Sequence, residues 1–554
     1  MAKHIVKNIA AVNAANSVEA KTFDSASFAR GENEANLHDQ AFETKPVSFL
    51  QDSFRRFAKN KGSIAAAIVI LIIALFGLIV PIASPMAHVD PVHYPQGYSD
   101  ANFSFVTPCL EIFHGSGFWD GSKKVTLNAN AYRALQLDDS NHARYYGEGV
   151  RNQGKLGEVT YSVRVDTYAI GNKVVTVDSS VFEKVYAENK RLIAAGKKSI
   201  MKPLIDYTAY VDAYVEKMEK DGQGATIIAS IKDKMTNYYA QNASVYYALS
   251  AQRSDGSYQD SIFYPANKDM ERTSNNDQVA PLYSSSLYEE HNGQYTIRVD
   301  YFDYFTLVRG FKPYYAFGAN EQGQDLFLRL AQGTRFSLLL GIGISAINLV
   351  IGLIWGAVSG YYGGNVDLVM ERVTDIIANI PSIVILTVAS IQFGHNAELK
   401  AAIGEQGVIV LAFLLAFVYS GWVGVAGTTR MQFYRFKGQE YVLASRTLGA
   451  KDRRLIFRHI LPNAAGTLVT SSVLMIPGVI FSESSLSYLG IISFRSVGLS
   501  SIGVLLDEGN GNLQSNPHVL LFPCLIISLL MISFNLFGNG LRDAFNTSLK
   551  GAED

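Results

Sequence analysis

Apolar positions along the chain gather into a few long uninterrupted runs, separated by stretches where polar and apolar residues mix. The clearest run is GSIAAAIVILIIALFGLIVPIA, Gly62 to Ala83, which holds no ionisable side chain. Crossing a hydrocarbon core of roughly 30 Å takes about 20 residues of helix, so this run is long enough to span. Further runs cover 336–358, 372–394, 407–427, 467–490 and 518–540. The pattern predicts six transmembrane helices.

Between the first two runs lies a mixed segment, 84–335, large enough for a core of its own. GEVTYSVRVDTYAI and YTIRVDYFDYFTLV alternate with β-branched and aromatic residues, as strands do, whereas 181–220 and 224–247 run at helical spacing. The expected layout is an N-terminal tail 1–61 with an amphipathic helix near 47–60, then a first span 62–83. An inserted α+β domain, 84–315, follows. Five more spans occupy 316–546, and a short tail 547–554 ends the chain.

Charge fixes the expected orientation. Arg55, Arg56, Lys59 and Lys61 precede the first run and SPMAHVDP follows it, so the N-terminus is expected in the cytoplasm and the inserted domain outside. Counting forward makes 428–466 cytoplasmic, and it carries eight Lys or Arg residues. The outward loops, 395–406 and 491–517, hold only Lys400 and Arg495. Both termini are then cytoplasmic in a multi-pass protein.

Composition excludes several classes. A net charge of −1 in 554 residues gives no nucleic-acid surface, and no His or Cys spacing suits a metal. Cys109 falls in the inserted domain and Cys524 in the last run, so no disulfide between them is expected. Residues 1–50 lack the apolar core of a secretory signal, so the first run is expected to remain as an anchor. Ser199 and Lys202 match a Ser-x-x-Lys nucleophile pattern, but its companion motifs are absent, which argues against hydrolysis.

The candidate chemistry lies in EYVLASRTLGAKDRRLIFRHILP, residues 440–462. Glu440 to Leu448 are good helix formers, Gly449 supplies a helix end, and helical spacing resumes from Lys451 until Pro462 stops it. Two short helices meeting at a projecting corner make a lever for a soluble partner. Within the spans, Glu483 is an acidic residue at membrane depth, a pathway or gate candidate with Ser482, Ser484 and Ser485 as ready partners. Pro381 and Pro477 are expected kink formers. Asp367, Glu371, Arg372 and Asp375 are read as an interfacial charge cluster.

This hook resembles the cytoplasmic Glu-Ala-Ala loop of ABC importer permeases. Leu443, Ala444 and Ser445 occupy the triplet, and Gly449, Ile456, His459, Leu461 and Pro462 fall at the remaining anchors. SGYYGGNVD, RVTDIIANIPSI, RMQ, SYLG and FNLFGNGLRDAFN are similar to the oligopeptide/dipeptide/nickel branch. Leu443 and Ser445 replace the family's Glu and second Ala, and Gln324 stands where that branch carries Arg.

The resemblance implies an α-helical membrane protein of the type I ABC importer kind, with six transmembrane helices and an α+β extracytoplasmic insertion. It implies a permease moving oligopeptides or dipeptides across a bacterial cytoplasmic membrane. The implied partners are membrane lipid, a second permease subunit (a paralogue), two cytoplasmic ATPases that hold ATP and Mg, and an external binding protein of lipoprotein type. Coupling is expected at Leu443, Ala444, Ser445, Leu448, Gly449, Ala450, Lys451, Ile456, His459, Leu461 and Pro462. With no Gly-x-x-x-x-Gly-Lys-Ser/Thr loop, the chain is not expected to be an enzyme or to carry a cofactor. A rival reading, a membrane-anchored sensor or adhesion protein, would need no nucleotide partner.

Overall fold

The computed structural model describes residues 49–89, 98–128, 140–153, 159–204, 218–241 and 286–545 apart from 493, with a few isolated positions between them. Residues 1–48 of the predicted tail 1–61, the predicted tail 547–554, and the predicted helical stretches over most of 205–217 and over 242–247 lie outside these. The chain divides into two compact units, 1–56 and 57–554. At their junction runs helix α1, Phe49–Lys59, where an amphipathic helix is expected.

Among the described residues five helices are long and apolar enough to cross a membrane: α2 (Lys61–Ala83), α6 (Leu326–Tyr362), α9 (Ala397–Lys437), α11 (Asp452–Tyr488) and α13 (His518–Phe545). A sixth span would be the pair α7 (Gly364–Ala378) and α8 (Ser382–His395), bent by 69°. Here the expected continuous run 372–394 is broken. Pro381 lies between the helices rather than inside one, because a proline disfavours helical backbone in the residue before it.

α2 is apolar on all sides, and its buried stripe consists of Ser63, Ala66, Ile73 and Gly77. With lipid tails as apolar as leucine, such a helix docks through small residues that let backbones approach. A Cβ at Gly77 would stand 3.1 Å from the backbone of Arg335. α6 starts ten residues before the apolar run predicts, since Asp325 caps it by accepting from Phe327 N–H at 2.9 Å. The stretch 395–406, expected to be an outward loop, is largely helix and breaks at Gly404, φ +73°. The stretch 491–517, also expected to be an outward loop, contains a short helix, α12, Ile502–Asn510.

In the insertion, β1 (Ser122–Asn128), β3 (Val159–Asp166) and β2 (Tyr145–Gln153) form an antiparallel sheet in the order β1-β3-β2. A second antiparallel sheet has the order β4 (Asn172–Asp178), β7 (Gln294–Asp300), β5 (Met201–Lys202), with β6 (Tyr288–His291) also on β7. α3 (Ser179–Ala194) follows β4, and α4 is Ala225–Gln241. YTIRVDYFDYFTLV is only half strand. Asp300 caps a new helix, α5 (Tyr301–Arg309), which Gly310 ends at φ +81°. Phe103, Tyr168, Phe305 and Tyr315 form one core, and Val185, Met201, Ile297 and Val299 another.

The segment 84–315 grips one end of the long-helix bundle through the hairpin 318–325. Gly318 and Gly323 both have positive φ, and a Cβ on Gly323 would overlap the carbonyl of Asp100. Lys123 reaches Asn516 at 2.6 Å.

Candidate functional site

The corner between α9 and α11 is built from helix α10, Glu440–Thr447. Its end is a glycine-closed cap. Ala450 N–H donates to Ser445 C=O at 3.0 Å and Gly449 N–H to Arg446 C=O at 2.9 Å, with Gly449 at φ +83°. A Cβ placed on Gly449 would meet nothing within 4 Å, so its surroundings are open and only the backbone angle selects glycine. Leu448 beside it is 88% exposed, an unusual position for leucine, and Leu443, Ala444 and Lys451 are exposed too.

The remaining anchors form the base. Ala450, Ile456 and Leu461 pack against Tyr361, Phe433, Val442, Leu455 and Ile460, of which all but Tyr361 are fully buried. Ser445 bonds back to Tyr441 C=O at 2.9 Å. His459 is half-buried and offers its carbonyl to Asn463 at 2.7 Å. Pro462 does not stop the helix. Leu455–Ile460 form a π-turn, with Leu461 N–H donating to Ile456 C=O, and the chain runs on into α11. The wider turn relieves the carbonyl that a proline ring would strike and absorbs its missing donor.

A polar clamp ties this base to the bundle. Asp367, in the first turn of α7, accepts two bonds of 2.6 Å from Arg430 of α9, one of 2.7 Å from Tyr434, and one from Ser359 of α6. Asp367 thereby joins three helices, α6, α7 and α9. Lys437 donates to Gly360 C=O at 2.8 Å, where α6 ends. Tyr361 OH donates to Asp452 at 2.5 Å and accepts from Arg446 at 3.3 Å. The predicted charge cluster therefore separates. Arg372 pairs with Asp375 at the surface, while Asp367 points into the clamp.

α6 and α9 lie close enough for backbone contact. A Cβ on Gly352 would fall 2.8 Å from Trp422 C=O, on Gly356 2.2 Å from Ala426 C=O, and on Gly360 2.7 Å from Arg430 C=O. Spacing of four puts all three on one face. The signal, Gly-x-x-x-Gly-x-x-x-Gly within IGLIWGAVSG, was legible in the sequence and was missed.

Glu483 is wholly buried in α11, and its serine partners differ from those expected. Ser337 of α6 and Ser487, one turn on, each donate at 3.0 Å, and Ser484 stands at 3.4 Å. Ser482 and Ser485 are half-buried and neither makes this bond, because helical spacing turns them to other faces. Ser337 also accepts from Ile502 N–H, so the group holds α12 to α6 and α11. Pro477 is buried inside α11. Near the start of α6, Gln324 accepts from Arg329, whose other nitrogen pairs with Glu508 at 2.9 Å, both ion-pair side chains nearly fully buried. Gln324 thus serves as a neutral acceptor for an arginine five residues later.

In the insertion, His142 donates to the Asp303 carboxylate at 2.8 Å, with Asp300 at 4.0 Å. The Asp303 hydrogen bond holds His142 above the usual imidazole pKa, against the opposing effect of burial. Asn141 bridges both carboxylates, and Lys202 donates to Asn141 at 2.8 Å. Burial pushes the free Cys109 thiol up to about 12, which leaves it inert.

Residues 349–551 match the family model described as binding-protein-dependent transport system inner membrane component, and 48–102 match that of the N-terminal TM domain of oligopeptide transport permease C. The chain is 37% identical over 234 residues to the oligopeptide transport system permease protein OppC of Bacillus subtilis, covering 42% of this chain and 72% of that one. To the OppC protein of Haemophilus influenzae it is 35% identical over 268 residues, covering 48% and 78%. To the dipeptide transport system permease protein DppC of Lactococcus lactis it is 34% identical, covering 42% and 64%. Among solved structures, the MetNI methionine ABC transporter in inward-facing form aligns at 16% identity and a TM-score of 0.31, over 39% of this chain and 96% of that one.

Proposed function

This chain belongs to the inner-membrane component family of binding-protein-dependent transport systems, and from that premise we propose that it is the permease subunit of an ATP-driven importer of oligopeptides or dipeptides. The corner at Gly449 carries the reading. An open, apolar-tipped elbow stands on a base that is buried and clamped to three long helices, so a push at the tip is delivered to the bundle. The sequence contains no phosphate loop, so the push comes from separate ATPase subunits that hold ATP and Mg.

In this reading α2, α6, the bent pair α7–α8, α9, α11 and α13 are six spans, with both termini and the loop 428–466 in the cytoplasm. The 84–315 insertion lies outside, toward a lipoprotein that delivers cargo, and a paralogous permease completes the pathway. Glu483 with its serines, Pro477 and the Pro381 break belong to the moving wall of that pathway. Family membership leaves the sensor or adhesion reading without support.

Substitution at Gly449 separates docking from folding. Asparagine tolerates left-handed backbone, whereas arginine adds both strain of about 1 kcal/mol and bulk at the tip. We expect Gly449→Asn to keep cargo-stimulated ATPase activity in the reconstituted complex, and Gly449→Arg to abolish it while the chain still inserts and purifies. ATPase subunits should co-purify with the unaltered chain in detergent. Full coupling in Gly449→Arg, or a chain that purifies with no ATPase, would defeat the proposal.

A further inference from the structure

We propose that residues 110–118 are a lipid anchor, an apolar tip of the insertion that sits in the outer leaflet of the bilayer. The inference rests on the permease reading and adds a membrane contact outside the spans. The tip reads LEIFHGSGF and has no Lys or Arg. It is closed at its base by Leu110 N–H donating to Trp119 C=O at 2.9 Å and by the bridge between Cys109 and Asp120. Within it Ile112 is 91% exposed and Phe118 68%, with Leu110 and Phe113 also exposed. Single exposed apolar residues are ordinary; four in one short loop are not. The ionisable groups are already engaged, Glu111 by Lys312 at 2.6 Å and His114 by Asp166 at 2.7 Å.

The occupant follows from height. Phe118 meets Trp119 at 5.8 Å between ring centroids, and Trp119 meets Phe522 of α13 at 5.6 Å. Phe522 stacks on Phe317 at 4.0 Å, which meets Phe327 of α6, which meets Phe76 of α2. One aromatic ladder therefore joins the exposed tip to the outer parts of three apolar helices. Along α13 the rise from Arg542 to Phe522 is roughly 30 Å at about 1.5 Å per residue, the thickness of the hydrocarbon core. The ladder lies at the outer boundary of that core, where aromatic belts collect. Trp119 is fixed there, with its indole N–H on Ala316 C=O at 2.5 Å and an uncommon φ of +50°. Phe113 and Phe118, 6.2 Å apart, continue the belt outward.

The test places a fluorophore on Ile112→Cys or Phe118→Cys in a Cys109→Ala, Cys524→Ala background. The full chain, purified with its co-expressed subunits, is reconstituted in phosphatidylcholine–phosphatidylglycerol vesicles. Shallow nitroxide lipids should quench both labels several-fold more than a label on Ile193→Cys, an exposed site on α3, and aqueous iodide should quench them less. The proposal is overturned if iodide alone reaches the tip. It is overturned in favour of a protein occupant if neither quencher does. A label on Ile72→Cys, on the exposed face of α2, should be quenched by deep nitroxide lipids. Its failure would remove the membrane-spanning reading itself, and the anchor with it.

Discussion

Asp367 shows how one side chain changes meaning once its neighbours are known. In the sequence it is one of several charges near a helix end; in the structure it accepts from Arg430, Tyr434 and Ser359. Bidentate, charge-assisted bonds of this kind are stronger than exposed ion pairs, and the carboxylate is almost buried. Asp367→Asn keeps the shape but turns one acceptor into a donor facing a guanidinium. We expect it to cost about 2 kcal/mol in thermal or denaturant unfolding of the detergent-purified chain. Asp375→Asn, whose partner Arg372 is exposed, should cost a few tenths at most and serves as the control. Equal effects from the two would show that the clamp adds nothing.

Among elements, the contact between α6 and α9 is set by three glycines rather than by large apolar side chains. Gly356→Leu would drive a side chain into the backbone of Ala426, where even a Cβ would lie 2.2 Å from the carbonyl. The helices would have to separate, and we expect destabilisation of about 3 kcal/mol or more, read as lost monodisperse protein and a lowered unfolding temperature. Gly343→Leu lies on the same helix with no atom within 4 Å of its Cβ position, and should be tolerated. Pro462 teaches a related lesson. Its missing N–H predicts a helix end, yet a π-turn one step earlier lets α11 continue from the corner into the long apolar helix. Corner and helix are therefore one mechanical piece.

For the molecule as a whole, the insertion is joined to itself and to the long helices by polar ties that sequence patterning does not reveal. Asn141 and His142 bind Asp300 and Asp303, linking the segment before β2 to the junction of β7 and α5, and so one sheet to the other. Asp303, Asp300 and Asp166 favour protonated His142, while burial opposes it. Because its folded pKa is raised, the stabilisation is full below the unfolded value of about 6.5 and fades as pH climbs through the folded value. We expect His142→Gln to lower the unfolding temperature of the chain clearly at about pH 5.5 and much less at about pH 8.5. A constant gap across that range would mean that packing against Phe302, not charge, is what His142 contributes.

The apolar runs alone located the five long helices and their order, because sustained apolar sequence favours continuous helix, but not the break at Pro381 that splits the run 372–394 into two shorter helices. Gly449 made the helix end at the corner legible, because a left-handed cap leaves little freedom in residue type, whereas Pro462 was misread as a stop. Strand and helix in the insertion were legible where periodicity was sustained, as in Val159–Asp166. They were misread at Asp300, where a cap overrode the alternating pattern. Only the tertiary structure decided which charges meet. Asp367 with Arg430, Arg329 with Glu508, and Glu483 with Ser337 are far apart in sequence, and their pairing depends on how the helices cross. The same holds for the exposed tip at 110–118, whose placement beside α13 follows from the Trp119–Phe522 contact and from nothing local.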